Sequence, residues 1–106
     1  MMKNRVEIEG ILQEAPELKS GSSDGSVLLA TARIIHRRER KDGDPITYYF
    51  NLLARNEMAE KLARMRAGDG VAVVGRLTVH SWVDPRNNFK RTIYEIFALE
   101  IEPAVI

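Results

Sequence analysis

Only once in this chain does the spacing of apolar residues change from two to nearly four. Residues 3–13, KNRVEIEGILQ, alternate, with Val6 and Ile8 on one side and Glu7 and Glu9 on the other, which is the signature of a strand. Residues 26–38, SVLLATARIIHRR, and 46–55, ITYYFNLLAR, read as two more long strands joined by the turn KDGDP at 41–45. Then, in NEMAEKLARMRAG, Met58 and Leu62 stand four apart and Met65 falls on the same face. This predicts a short helix over 56–68, opened by Asn56 and ended by Gly68, with Glu57–Lys61 and Glu60–Arg64 as supporting charge pairs. Its methionine stripe is core packing. Strand spacing returns over 70–82, GVAVVGRLTVHSW, and over 89–102, where Ile93, Phe97, Leu99 and Ile101 alternate with other residues.

The order is therefore β-β-β-α-β-β, all-β with one short helix. A helix that short plugs the end of a barrel instead of building a bundle. Five strands with a helix between the third and fourth is the order of a five-stranded OB-fold barrel, an architecture used for single strands of nucleic acid and for oligosaccharides. Gly75 inside the fourth strand predicts a bulge or sharp bend, and Gly10 in the first a bulge or close backbone approach. Residues 14–25, EAPELKSGSSDG, read as a loop.

At 106 residues, the chain is expected to form a single OB-fold domain, 1–106, with one core. No apolar run reaches the roughly 20 residues that span a bilayer, and MMKNRVEIEG lacks the apolar stretch of a signal peptide. No membrane partner is expected, and a cytoplasmic location is. The absence of cysteine excludes disulfides and thiolate metal sites.

His36 and His80 have no metal-ligand spacing and are expected on solvated strand faces. GSSDGS lacks the following lysine and helix of a phosphate cradle. No nucleophile stands beside a base. Neither catalysis, nor a cofactor, nor a metal is expected.

What remains is a mixture of cations and rings. The net charge is only +1, but RIIHRRERK at 33–41 sets Arg33, Arg37, Arg38, Arg40 and Lys41 against a lone Glu39. Tyr48 and Tyr49 lie on the returning arm of that hairpin. Adjacent strand residues point to opposite sides, and because Phe50 and Leu52 look like core, Tyr49 is the exposed one. In the last ribbon, HSWVDPRNNFKRT, the only tryptophan, Trp82, and Phe89 flank a turn that also carries Arg86, Lys90 and Arg91. Cations follow phosphates, and flat side chains stack on unpaired bases. Trp82 and Phe89 can also pair across the strands and simply stiffen the ribbon. Arg76 reads equally as barrel rim or ligand contact.

These residues resemble the bacterial single-stranded DNA-binding proteins. The resemblance is carried by Asn4, Val6 and Gly10, by Pro16-Glu17 and Ala30-Thr31-Ala32, and most densely by 47–84. There, Met58-Ala59-Glu60, Ala67-Gly68-Asp69-Gly70, Val71, Val73, Val74-Gly75-Arg76-Leu77 and Trp82-Val83-Asp84 follow the family's order. It implies an OB-fold assembling into dimers or homotetramers, binding single-stranded DNA without strong sequence preference in replication, recombination or repair, in the bacterial nucleoid.

Trp82 and Tyr49 fall where the family stacks aromatics. Ile35 falls where another tryptophan is common and Arg55 where a phenylalanine is common, two departures that remove stacking surface. The family normally continues into a flexible tail with an acidic tip, whereas EIEPAVI ends this sequence, so a tail-less form is expected, either a trimmed core or a mobile-element or phage form. The related primosomal replication protein N is the alternative, a restart adaptor acting mainly through contacts with replication proteins. RNA in place of DNA stays open.

Overall fold

The structure is a computed structural model that describes residues 2–106. It contains β1 (Val6–Leu12), β2 (Glu17–Ser20), β3 (Leu28–Arg38), β4 (Ile46–Arg55), α1 (Glu57–Ala63), β5 (Gly70–Val83) and β6 (Lys90–Pro103). The sheet runs β1-β5-β6-β4-β3-β2, and β1 also pairs with β3 through Ile11–Ile35 and Leu12–Ile34. That extra pairing joins β1, β5, β6, β4 and β3 into a closed ring of five strands, the barrel expected from the sequence. The ring contains one parallel pairing, β4 with β6, over Asn51–Leu53 and Glu95–Phe97.

The inward sides of these strands supply the core. Leu12, Ile34, Leu52, Val71, Val73 and Ile101 are buried, together with Ala30, Ala54, Ile96 and Ala98. Helix α1 closes one end with Ala59 and Leu62, while Met58 and Met65 pack partly buried against the same cluster. The methionine stripe is thus core.

Gly10 lies where a Cβ would meet the Ile35 carbonyl oxygen at 2.5 Å, so the β1–β3 closure needs a glycine there. Gly75 sits at a register slip in the β5–β6 ladder, where Val74 faces Glu100 but Gly75 faces Ala98. Leu99 is the extra residue of this bulge.

The bulge corrects the expected face of the last strand. Crossing Leu99 shifts the parity, so Ile101, Ala98 and Ile96 point inward, Leu99 is exposed and Ile93 and Phe97 are half-buried on the outside. A second correction concerns 14–25, read as a loop. Four of its residues form β2, antiparallel to the start of β3. All four are exposed, so this edge strand has no apolar alternation to show.

Asn56 does not cap the helix with its side chain. It adopts a positive φ of 52°, uncommon for a residue with a side chain. Its Oδ1 accepts from the Leu28 N–H at 3.0 Å and its own N–H donates to the Leu28 carbonyl at 2.7 Å. It therefore ties the end of β4 to the start of β3. The helix stops at Ala63, before the expected 68, and Gly68 turns the chain beyond it with a φ of 90°. Neither expected charge pair within the helix forms among the described residues, and Lys61 instead reaches Glu102 on β6 at 2.9 Å.

Candidate nucleic-acid interface

Beyond the core, the β3–β4 hairpin and the β5–β6 ribbon continue as two protruding arms. Register fixes which side chains share their outer face. Across four strands, Thr78, Glu95, Asn51 and Arg33 form one row. The next row toward the core end holds Arg76, Phe97, Leu53, Thr31 and Glu17. One step outward, His80 faces Ile93 and Ile35 faces Tyr49; further still, Trp82 faces Arg91 and Arg37 faces Thr47. Arg55, two residues past Leu53 on β4, lies on the same side.

The rings on this face are open to solvent: Tyr49 is 50% exposed and Trp82 42%. Each has a companion. The Arg33 guanidinium lies 4.9 Å from the centre of the Tyr49 ring, a cation–π contact that also orients the arginine. His80 stacks on Trp82. Nearer the barrel, the Arg76 guanidinium lies 4.9 Å from the centre of the Phe97 ring, a second cation–π contact.

The opposite parity carries different residues. Tyr48 clusters with Phe50 and His36, and His36 Nδ1 lies 2.8 Å from the Glu9 carbonyl oxygen. His36 is thus half-buried in a ring cluster, not on a solvated face. Arg38 pairs with Ile46 and Lys90 with Val83, which sets both on the reverse of the arms. The β3–β4 turn holds Arg40 and Lys41. Arg40 Nε donates to the Asp44 carbonyl at 2.8 Å, which folds its side chain back over that turn.

At the tip of the β5–β6 ribbon, the alternative cross-strand Trp82–Phe89 pair does not form among the described residues. Trp82 stands opposite Arg91, and Phe89, 67% exposed, lies in the turn just before β6. What organises this turn is Asp84, which is 4% exposed. Its carboxylate accepts from Arg86 Nη2 at 3.1 Å, the Arg86 backbone N–H at 2.9 Å and Arg91 Nη2 at 3.4 Å. The Arg86 side chain and N–H, with Arg91 behind them, hold this carboxyl below the usual carboxylate range against the opposing effect of burial.

In the sequence, Asp84 stands out only within the Trp82-Val83-Asp84 match and His80 only as a residue of a solvated strand face. A parity count places His80 beside Trp82, two residues apart on one strand. An aspartate two residues before Arg86 is also the spacing of a side-chain turn. Those were the available signals.

The profile of the single-strand binding protein family matches residues 3–104, nearly the whole chain. The chain belongs to this family. Relatives within it include the single-stranded DNA-binding protein of Thermus aquaticus, 28% identical over 99 residues, a match covering 93% of this chain and 37% of the relative. The corresponding protein of Thermus thermophilus is 29% identical, with 93% and 36% covered. Single-stranded DNA-binding protein 3 of Clostridium acetobutylicum is 28% identical over 100 residues, with 93% of this chain and 69% of the relative covered. The chain thus spans little more than a third of the length of the Thermus relatives. Among the described residues no helix is long and apolar enough to cross a membrane.

Proposed function

We propose that this member of the single-strand binding family binds single-stranded DNA along the outer face of its two arms, without catalysis. One observation carries the reading: Trp82 and Tyr49, each about half exposed, share one sheet face with Arg33, Arg37, Arg55, Arg76 and Arg91. Bases stack on the rings, at about 1–3 kcal/mol each, and the guanidinium groups meet phosphates. Arg86, at the ribbon tip, and Phe89, beside it, extend the track. Ile35 takes a stacking position with apolar contact only. Arg38, Arg40, Lys41 and Lys90 contribute field more than contact, because they lie on the reverse or in the turn.

Trp82 is the sole tryptophan, so its fluorescence reports the contact directly. Titration with oligo-dT is expected to quench it and duplex DNA of equal length to leave it unchanged. Affinity is expected to fall with salt at a log–log slope of about −0.7 per phosphate contacted. Equal response to duplex, or no response to the single strand, overturns the reading; an RNA strand in parallel measures preference for the sugar.

Roles in bacterial replication, recombination or repair, and a cytoplasmic, nucleoid-associated location, belong to the same proposal. So does self-association as a dimer or homotetramer. It is supported by the reverse of the β5–β6 ribbon, where Leu77, Val79, Val83 and Tyr94 are all exposed. That stripe continues outward from buried Ile96, and a second copy of the chain would cover it. Sedimentation velocity reads the state directly.

A further inference from the structure

The proposed track for a polyanion has a carboxylate near its middle. Glu95 stands in the central row of the outer face, between Thr78 and Asn51. It is half-buried, and among the described residues no side chain donates to its carboxylate or pairs with it. Its only recorded bond is through its backbone oxygen, which accepts from Thr78 Oγ1 at 3.1 Å.

Glu95 lines an open cleft of about 340 Å³. Arg33, Asn51 and Ile93 share its lining, and Glu14 and Glu17 stand on the side toward β2. Three carboxylates and one arginine make poor company for a phosphate. The acids do not converge on a cation either, since no group of three ligating side chains among the described residues could hold a metal. What fits is a neutral ring whose edge donates hydrogen bonds, lying on Ile93.

We propose that this cleft is a base-reading subsite that accepts a nucleobase with an exocyclic amine and disfavours thymine. A carboxylate accepts from the cytosine N4 amine, and the amines of adenine and guanine offer the same kind of donor. Thymine presents its O4 oxygen at the position where cytosine carries N4, so acceptor would face acceptor there and only the single N3–H beside it could donate. Asn51, beside Glu95, has both a donor and an acceptor for the rest of the base edge. The stacking positions remain tolerant while this one selects. The inference rests on the single-strand reading above and sharpens it.

The test compares oligo-dC with oligo-dT of equal length at neutral pH, by anisotropy of labelled strands, for wild type, Glu95→Gln and Glu95→Ala. Both strands carry the same charge, so the counterion contribution cancels in their affinity ratio. The dC:dT ratio is expected to be about fivefold higher in wild type than in either variant. Glu95→Gln is expected to gain affinity for dT, because its amide can donate to O4. Trp82→Ala is expected to weaken both strands and leave the ratio unchanged. If the Glu95 variants strengthen both strands equally, Glu95 merely repels the backbone and the subsite is overturned while single-strand binding stands. If wild type binds neither strand, the single-strand reading fails and the subsite with it. Thermal melting of each variant separates loss of fold from loss of selectivity.

Discussion

His80 lies nearly flat against Trp82, with ring centroids 5.4 Å apart and planes 26° from parallel. Two residues apart on one strand, they form a short stack that holds the indole upright at the end of the β5–β6 ribbon. The imidazole limits the indole's rotamers before any base arrives, which lowers the entropy lost on binding. Trp82→Ala is expected to weaken oligo-dT binding by about 1–3 kcal/mol. His80→Ala is expected to weaken it less, because the indole remains but is no longer held. Anisotropy titrations of a labelled strand measure both, and equal losses would show that the histidine itself contacts the DNA.

Neighbouring arginines provide a sharper test of the face. Arg37 shares the outer side with Arg33 and Tyr49, while Arg38 lies on the reverse opposite Ile46. Arg37→Ala is expected to reduce the salt slope by about 0.7, the contribution of one phosphate contact. Arg38→Ala is expected to leave the slope unchanged. Affinities of the two variants over a series of salt concentrations decide the matter, and identical slopes would mean that both act only through the general field.

Acid is expected to loosen the protein through two aspartates. Ser26 N–H and the hydroxyls of Ser26 and Ser22 lower Asp24 from 3.8 to about 2, and Arg86 and Arg91 lower Asp84. Folding depresses both pKa values, so their contribution is fully present above 3.8, the ordinary aspartate value. For Asp24 it is lost as pH falls from there toward about 2, through the folded value. Asp84→Asn is expected to be less stable than wild type at pH 7 and to lose less on acidification. Urea midpoints at pH 7 and pH 3 measure both expectations.

Gly75→Ala probes the bulge. An added Cβ would press on the Phe97 carbonyl oxygen and approach the Ile96 side chain. The expected loss is about 1–3 kcal/mol, seen as a melting temperature lower by several degrees. An unchanged melting curve would mean that the ladder absorbs the methyl group by shifting.

The barrel was legible because its strands advertise themselves. Val6 and Ile8 alternate with acids, and the one change of period at Met58 and Leu62 marks the helix. Features without such contrast were not legible. All four side chains of strand β2 are exposed, so no apolar alternation marks it in the sequence. The slip at Leu99 reverses the inward face of β6, which no count of twos foresees. At the site, parity sets Tyr49 and Tyr48 on opposite faces as expected, but Tyr48 is 37% exposed instead of buried; Arg37 and Arg38 divide by the same parity. Charge alone grouped them, although their strand positions set them on opposite sides. Glu95 drew no notice because an acid in a strand is ordinary; only the cross-strand row reveals that it stands among the rings and arginines.

The pairing of β1 with β5, from Val6 against Gly75 to Ile11 against Gly70, also governs how the chain reaches this state. Some 59 to 69 residues separate the paired positions (70−11 and 75−6), so loop-closure entropy opposes that ladder more than it does the β3–β4 hairpin. The β3–β4 hairpin closes a far shorter loop, between Arg38 and Ile46. Ring closure is therefore expected to follow the β3–β4 hairpin in folding, leaving the apolar side of β1 uncovered until then.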